Sequence, residues 1–289
     1  MKDPIDPKVI ALYDEYCHGF IDRREFFKRA TAISATAVAM AHGLLPRYAE
    51  AQQVSFTDQR IKARYVNYDS PGGNSGKMRG YLVAPAGEGP FPALLVIHEN
   101  RGLNPHIEDV ARRFALDGFL ALAPDGLAPV GGYPGNDDDG RQMQRALDQD
   151  KLREDMFNSA RWLSAHELAT DKLGITGFCW GGFVTNYLSA RMGDTVAAAV
   201  PFYGSGVQPE AVAGMRAPLM IQAAENDPRI NAAWPEFEAA LIEHDVTYVR
   251  YVYPGTNHGF HNNSTPRYDE AAAKLAYERS VAFLKDQMG

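Results

Sequence analysis

The sequence alternates short, continuous apolar runs with longer segments of helical spacing, and this alternation constrains the fold more than any other feature. Continuous runs are typical of strands that are buried on both faces of a parallel sheet. Strands that alternate with helices predict a doubly wound α/β sheet, and no internal repeat interrupts the pattern. The predicted strands are Ala93–His98, Phe119–Ala123, Leu173–Thr176, Ala197–Phe202, Leu219–Ala223 and Tyr248–Tyr253.

Turn residues and helical spacing complete this outline. Two further strands, Ile61–Tyr68 and Met78–Val83, flank a glycine-rich turn and predict an antiparallel opening to the sheet. The Gly-, Pro- and Asp-rich stretch 124–140 is predicted to be a loop near a site. A single domain over residues 55–289 accounts for all of these elements. The predicted helices are His106–Asp117, Asp148–His166, Gly181–Met192, Ala232–His244 and Tyr268–Gln287.

The composition allows one globular domain and argues against one class of partner. The chain has 289 residues, of which 45% are hydrophobic, which is enough for a sizeable core. Its formal charge is -7, whereas a general nucleic-acid binder needs a basic face. We therefore expect no nucleic-acid partner. The apolar stretches are too short for a stable membrane anchor.

Residues 1–51 have two interpretations. The pair Arg23-Arg24, the apolar stretch Ala30–Leu45 and the A-x-A sequence Ala49–Ala51 are typical of a twin-arginine export leader. A leader predicts a periplasmic product, with the twin-arginine export machinery as a partner. The alternative is an N-terminal helical segment that docks on the body or on a partner chain, with a cytoplasmic product. The long stretch before Arg23 keeps that alternative open.

The most informative segment is Leu173–Gly182, which reads LGITGFCWGG. It predicts a strand that passes through a tight turn into a helix, with Cys179 at the turn and Gly177 and Gly181 where side chains would clash. This arrangement resembles the nucleophile turn of the α/β-hydrolase fold, in which most members carry Ser at this position. A helix N-terminus beside the sulfur is expected to favour the thiolate, since an unperturbed thiol with a pKa of about 8.5 is mostly protonated at pH 7.

Cys179 also has a less specific interpretation. The chain holds two cysteines, and Cys17 lies in the segment 1–51, so no disulfide is expected. Free cysteines are often buried and inert, and the count alone favours such a thiol. The strand before Cys179 and the helix after it favour a nucleophile instead.

Two later strand ends offer partners for this nucleophile. Asp227 follows one predicted strand and His258 follows the next, so nucleophile, acid and histidine come in the order expected for this fold. Asp227 has an alternative role as a helix cap, with Glu225 as the second choice of acid. His261 competes with His258, and the two are three residues apart. Without further ligands at metal spacing we expect no metal, and we expect no other cofactor.

The strand Ala93–His98 ends in a loop that completes the predicted site. In this fold an oxyanion site takes one N–H from the residue after the nucleophile and one from this loop, which gives the backbone amides of Trp180 and Asn100. Glu99 lies at the same strand end. It is either a solvent-facing residue paired with Arg101, or a base for the thiol whose pKa is raised by desolvation.

Together these motifs resemble the dienelactone hydrolase (carboxymethylenebutenolidase-like) family over about residues 55–287. The resemblance implies an ester or lactone hydrolase with a catalytic triad of Cys179, His258 and Asp227. It also implies that Glu99 holds the thiol at rest and takes its proton when the substrate binds, and that water then hydrolyses a thioester with His258 as the base. The motifs that carry the resemblance are His98–Asn104, Ala123–Asp125, Gly177–Gly182, Glu225–Asp227 and Asn257–Phe260.

The sequence departs from this family where dienelactone-cleaving members hold the substrate carboxylate with arginines. Leu127–Pro129 and His261–Asn263 stand at the two positions where those arginines are expected. Arg101 and Arg267 are candidate replacements. The expected substrate is therefore a small ester or lactone, and dienelactone is only one of the choices. Further substrate contacts are expected from Tyr133, Tyr203 and Phe260.

Two other functions fit parts of the sequence. A non-catalytic or redox-sensing binding protein on the same fold would use Cys179 as a sensor thiol. A hydrolase of other acyl groups, such as thioesters or peptides, would use the same three residues on a different substrate. A sensor has no need of an acid and a histidine in hydrolase order, so the sequence favours a hydrolase.

Overall fold

A computed structural model describes residues 7–17, 21, 23–33 and 51–289 of the chain. The body is built around a single eight-stranded sheet with helices on both faces. The strands are β1 (Ile61–Asp69), β2 (Lys77–Pro85), β3 (Phe91–Ile97), β4 (Leu120–Pro124), β5 (Ala169–Phe178), β6 (Val196–Phe202), β7 (Leu219–Asn226) and β8 (Tyr248–Asn257).

The described helices precede the sheet or connect its strands. They are α1 (Pro7–Cys17), α2 (Arg23–Ile33), α3 (Pro105–Leu116), α4 (Asp137–Ala146), α5 (Gln149–Ser164), α6 (Trp180–Met192), α7 (Pro209–Val212), α8 (Pro228–Glu243) and α9 (Glu270–Met288). None of them is both long enough and apolar enough to cross a membrane.

The strand order is β1-β2-β4-β3-β5-β6-β7-β8. β2 is antiparallel to both of its neighbours, while the strands from β4 to β8 are parallel to one another. The carboxyl ends of β3, β5, β7 and β8 therefore meet at one edge of the sheet, where ligands bind in open α/β folds.

Strand β3 illustrates why the apolar runs are continuous. Leu94 and Val96 pack on one face with residues of α3 and α9, whereas Leu95 and Ile97 pack on the other face with residues of α5 and α6. All four side chains are completely buried. Since successive side chains of a strand point to opposite faces, a strand covered on both sides needs apolar residues at every position. Each such burial contributes roughly 1.5–3 kcal/mol.

The predicted α/β-hydrolase fold class is confirmed, and the predicted strands begin and end within a few residues of the observed ones. Helix α4 was not predicted, because it begins inside the Gly- and Asp-rich stretch 124–140. Asn136 caps it by accepting a hydrogen bond from the Asp139 N–H at 2.9 Å. Three aspartates in its first turn, Asp137–Asp139, interact favourably with the helix dipole.

Two predictions about the N-terminal segment lie largely outside the described residues. These are the apolar stretch Ala30–Leu45 and the cleavage sequence Ala49–Ala51. The arginine pair precedes them, and Arg24 lies in α2 with an exposed side chain.

Candidate active site

Cys179 lies in the turn between β5 and α6, as the sequence predicts. Its φ of 57° places it in the left-handed region, where a non-glycine residue is strained. A Cβ atom on Gly177 would lie 2.2 Å from the carbonyl oxygen of Gly181, and one on Gly181 would lie 2.4 Å from that of Ile97. The two glycines are therefore required because the backbones approach too closely for any side chain.

The Cys179 thiol is neutral at rest. Burial raises its pKa to about 12, and the negative charge of Glu99 acts in the same direction. Arg101 and a hydrogen bond from the Trp180 backbone N–H oppose this rise without overcoming it. The helix N-terminus does favour the thiolate through the Trp180 N–H, but desolvation and the nearby carboxylate outweigh it in the resting protein.

Asp227 and His258 form a buried pair at the carboxyl ends of β7 and β8. The Nδ1 atom of His258 lies 2.6 Å from Oδ2 of Asp227, and each side chain is 2% exposed. Asp227 also caps α8, since its Oδ1 accepts a hydrogen bond from the Ile230 N–H at 3.4 Å. Burial acts to raise the pKa of Asp227, but the hydrogen bond and charge of His258 outweigh it and hold that pKa below its usual value. One carboxylate thus both contacts the histidine and caps the helix.

The competing residues lie elsewhere. Glu225 is exposed and accepts a hydrogen bond from the Gly255 N–H at 2.8 Å. His261 is buried, its ring 5.0 Å from those of Phe178 and Phe202, and burial holds its pKa well below the usual value. Among the described residues no group of three His, Cys, Asp or Glu side chains could hold a metal ion.

Glu99 is buried beside the nucleophile rather than facing solvent, with 1% of its surface exposed. Its Oε2 accepts a hydrogen bond from Asn262 at 2.9 Å and lies 3.5 Å from Nη2 of Arg101. Burial acts to raise the pKa of Glu99, but Arg101, His106 and Arg267, in that order, lower it below the usual value. The predicted raised pKa is therefore wrong, because no local motif indicates that these three side chains converge on the carboxylate.

Arg101 and Arg267 lie behind the nucleophile. Arg101 donates to Asp137 at 2.7 Å, and Tyr133 donates to the second oxygen of the same carboxylate at 2.8 Å. Arg267 is 4% exposed, and a Cβ atom on Gly259, the residue after His258, would lie 2.9 Å from its Nη2. We call Glu99, Arg101, Asp137 and Arg267 the charged layer.

Tyr203 and Phe260 also lie in the interior of the site. Tyr203 follows β6 with a φ of 37°, and its ring centroid is 5.0 Å from that of His258. Phe260 is completely buried, with its ring centroid 5.6 Å from that of Tyr203. Tyr203 therefore packs against His258, and Phe260 packs against Tyr203, in the protein interior.

A cavity of about 340 Å³ opens from Cys179 to the solvent. It includes the predicted oxyanion residues Asn100 and Trp180. None of the five predicted substrate-contacting side chains lines it. Its other lining residues, which the sequence reasoning did not find, are Phe183, Ser205, Arg229 and Ile230.

These missed residues carry a weak positional signal. Phe183 lies in the first turn of α6, Arg229 and Ile230 lie in the first turn of α8, and Ser205 follows β6, so all four lie just beyond strand ends. Arg229 is exposed and makes no hydrogen bond or ion pair with the part of the chain that the structure describes. A larger cavity of about 480 Å³ lies between α3 and α9 and contains none of the predicted catalytic residues.

Comparison with known proteins places this site in a family. The sequence model of the dienelactone hydrolase family matches residues 78–288, and a model described as YqhI-like matches residues 1–35. A putative carboxymethylenebutenolidase of Saccharolobus solfataricus is 31% identical over 258 residues, which is 76% of this chain and 97% of the relative. A putative hydrolase fragment, YghX, of Escherichia coli is 60% identical over 114 residues, 39% of this chain and 97% of the fragment.

Solved structures match the same family. The crystal structure of a putative dienelactone hydrolase from Klebsiella pneumoniae superposes with a TM-score of 0.66 at 26% identity, and the match covers 77% of this chain and 99% of that protein. The family model spans most of the body and includes every strand that contributes to the site. The chain belongs to the dienelactone hydrolase family, and it is a hydrolase of the dienelactone hydrolase type.

Proposed function

We propose that the protein hydrolyses a small carboxylic ester or lactone, with Cys179 as the nucleophile and a thioester acyl-enzyme as the intermediate. The observation that carries the proposal is the buried His258–Asp227 pair, 2.6 Å apart, at the strand ends that follow the nucleophile in the chain. A carboxylate in this position fixes the orientation and tautomer of the histidine ring. Its Nε2 is then the atom that exchanges protons with the reacting groups.

In the acylation step the thiol must first lose its proton. Because the thiol has a pKa of about 12 at rest, it reacts only if a base takes the proton as the substrate binds. Glu99 is ionised and buried beside it, and its Oε1 has no hydrogen-bond partner among the described residues. The sulfur attacks the carbonyl carbon, the C–S bond forms, and the C–O bond breaks. The proton taken by Glu99 ends on the departing oxygen.

In the deacylation step water attacks the thioester. His258 takes a proton from the water, the new C–O bond forms, and the C–S bond breaks. The proton returns to the sulfur, so the thiol is restored and a carboxylic acid is released. The negative charge that develops on the carbonyl oxygen in both steps is stabilised by the backbone amides of Asn100 and Trp180, which border the cavity beside the sulfur.

The substrate class follows from the family and from the cavity. A cavity of about 340 Å³ fits a small molecule rather than a folded partner. The relative from Saccharolobus solfataricus is named a putative carboxymethylenebutenolidase, which supports a lactone or a related ester. The arginines that would hold a dienelactone carboxylate are absent from 127–129 and 261–263. A panel of esters and lactones, compared by kcat/KM, identifies the alcohol and acid parts of the substrate.

Substitution of the nucleophile tests this proposal. We expect Cys179→Ala to reduce the kcat for short aryl esters by a factor on the order of 10⁴ or more, since removal of a nucleophile leaves only binding and oxyanion stabilisation. The wild-type enzyme should also show a burst of aryl alcohol and a thioester detectable by intact mass. Turnover of the Cys179→Ala variant at the wild-type rate would reject the mechanism.

The redox-sensing alternative has less support. Sensor cysteines have a lowered pKa, whereas burial and Glu99 raise the pKa of Cys179. That function predicts no ester turnover, together with reversible oxidation of Cys179 that changes ligand binding. The same ester panel, with and without peroxide, separates the two.

Export through the twin-arginine machinery remains a prediction. Fractionation with intact-mass measurement tests it directly. A periplasmic product that begins near Gln52 would support a cleaved leader, and a full-length cytoplasmic product would support the docked helical segment.

A further inference from the structure

Helices α1 and α2 pack together and enclose apolar side chains. Val9, Tyr13, Phe26 and Ala30 have no exposed surface, and Tyr16 is 3% exposed. The ring of Tyr16 stacks on that of Phe26 with their centroids 5.0 Å apart. Two eleven-residue helices cannot bury side chains to this degree by themselves, because so short a chain has too little interior. The rest of the molecule must therefore cover part of this helical pair.

The covering residues come from α4 and from the loop before α9. The Tyr16 hydroxyl donates to the Asp138 carboxylate, and the Arg141 guanidinium donates to the Tyr16 carbonyl oxygen. The Arg141 guanidinium carbon also lies 4.0 Å from the centroid of the Tyr16 ring. The guanidinium carbon of Arg267 lies 5.0 Å from the centroid of Tyr13. Such cation–π contacts are stronger when they are desolvated, as these are.

One of these contacts lies next in the chain to a residue that positions a positive charge near Glu99, and another involves such a charge directly. Asp137, which precedes Asp138 in α4, holds Arg101, and Arg101 in turn lies 3.5 Å from Glu99. Arg267 also lowers the pKa of Glu99, after the larger contributions of Arg101 and His106. Tyr13 therefore contacts one positive charge of the charged layer directly, and Tyr16 contacts the residue next to the one that holds the other.

We propose that the helical pair α1–α2 stays docked beside the charged layer in the working enzyme, and that Tyr13 and Tyr16 are positioning residues, Tyr13 holding Arg267 and Tyr16 holding α4, which together fix the two arginines near Glu99. The role assigned to Glu99 rests on the proposed function. The comparisons assign nothing to this segment beyond a YqhI-like match over residues 1–35. The proposal also requires that these residues stay on the enzyme.

Other charged and titratable groups also face Glu99 and affect its pKa. His106 on α3 also lowers the pKa of Glu99, the side chains of Cys179 and Tyr203 are neutral, and Asp137 adds a negative charge. The ring of Tyr13 contacts Arg267. A change in the titration of Glu99 in a variant of Tyr13 would therefore come from the placement of Arg267.

The decisive experiment compares Tyr13→Leu with Tyr13→Phe in the full-length chain. Leucine fills the buried space but offers no π face to Arg267, whereas phenylalanine keeps the ring. We expect Tyr13→Leu to move the acidic limb of the kcat/KM profile to higher pH by about one unit, because Glu99 loses a neighbouring positive charge. At the foot of that limb the loss is about tenfold. Tyr13→Phe and Lys28→Ala, on the exposed surface of α2, should keep the wild-type profile.

A second readout needs no turnover. With Arg267 displaced, the uncompensated charge of Glu99 should slow alkylation of Cys179 by iodoacetamide at pH 8 by about threefold. This measurement stays informative if the ester assays reject the proposed function, so the two failures are distinguishable. Tyr16→Phe, which loses only the hydroxyl contact to Asp138, should shift both readouts in the same direction by a smaller amount.

Three results would overturn the proposal. One is a Tyr13→Leu profile and alkylation rate that superimpose on those of the wild type. Another is an equal shift in Tyr13→Leu and Tyr13→Phe, which would mean that the ring contact is not responsible. The third is a mature protein whose intact mass begins near Gln52, since the helical pair would then be absent from the enzyme.

Discussion

The two sides of Cys179 differ in charge, in exposure and in the segments of the chain that form them. On one side is the solvent-facing cavity, whose walls combine apolar side chains with Asn100, Ser205 and the exposed cation Arg229. On the other side is the charged layer, which is buried and held by hydrogen bonds and ion pairs from α4 and from the loop that carries Arg267. The nucleophile lies at the boundary between the two.

This difference separates two tasks. The open side can exchange its contents with solvent, which suits a surface that receives small molecules of varied shape. On the buried side a charge acts through a low dielectric, so each charged group there strongly shifts the pKa of its neighbours. We therefore expect substrate preference to depend on the cavity walls and the protonation of the thiol to depend on the charged layer. The following predictions test that division, from the largest effect to the smallest.

The largest effect is expected from His106, which lies on the buried side against Glu99. Burial, assisted by the charge of Arg113, lowers its pKa to about 4 from 6.5. Below pH 6.5 the unfolded chain binds a proton that the folded protein excludes, so the free energy of unfolding falls as the pH falls from about 6.5 towards 4. Between pH 7.5 and 5 we expect this histidine to account for about 2 kcal/mol of lost stability.

Urea unfolding of the wild type and of His106→Asn at the two pH values measures this loss. The asparagine amide nitrogen can replace Nδ1 as the partner of Asn263, which lies 3.0 Å away, but it cannot titrate. The variant should lose about 2 kcal/mol less than the wild type over this interval. Equal losses in the two proteins would mean that the buried side is not the part that responds to acid.

The next effect is expected from Glu99→Gln, which removes the negative charge that raises the thiol pKa. The thiol pKa should fall by roughly one unit, so alkylation of Cys179 at pH 7.5 should become roughly tenfold faster. Ester hydrolysis should become slower in the same variant, because an amide cannot take the thiol proton. Glu225→Gln, an exposed carboxylate at the end of β7, is the matched control. An unchanged alkylation rate would remove Glu99 from the control of the thiol.

The smallest effect is expected from Arg229→Gln on the open side. This exposed cation contributes to lowering the pKa of Cys179, but solvent and salt screen it. With a neutral aryl ester we expect kcat/KM to fall by less than about threefold, and the difference to shrink in 0.5 M salt. A loss as large as that of Glu99→Gln would break the division between the two sides.

The fold could be predicted from the sequence because its signals are local. Strands buried on both faces need apolar residues at every position, and this pattern located six of the eight strands, while the glycine-rich turn between them located β1 and β2. Helix α4 was missed although its local signals were present, namely Asn136 as a cap and three aspartates in the first turn. The glycines around these residues are typical of a loop, and a loop was predicted there instead of a helix.

The catalytic residues were partly predictable for the same reason. Cys179, Asp227 and His258 each follow a strand, and the order of the strands brings them to one edge. The ionised state of Glu99 was not predictable, because it depends on Arg101, His106 and Arg267 converging on it, and the last of these lies 168 positions away in the chain. The cavity walls were not predictable either, since no motif marks Phe183 or Ser205.

The tight packing of the nucleophile turn limits how this enzyme can move. Neither Gly177 nor Gly181 has space for even one added carbon atom, and the atoms that would collide with it belong to neighbouring backbone. A segment enclosed in this way cannot rearrange during a catalytic cycle without unfolding the adjacent strands. The mobile parts of the reaction must then be side chains and water, and a ligand can change the rate only through groups that reach Cys179 from outside the turn. Attempts to alter this enzyme by design therefore have more scope in the loops beyond the strand ends than in the turn that holds the sulfur.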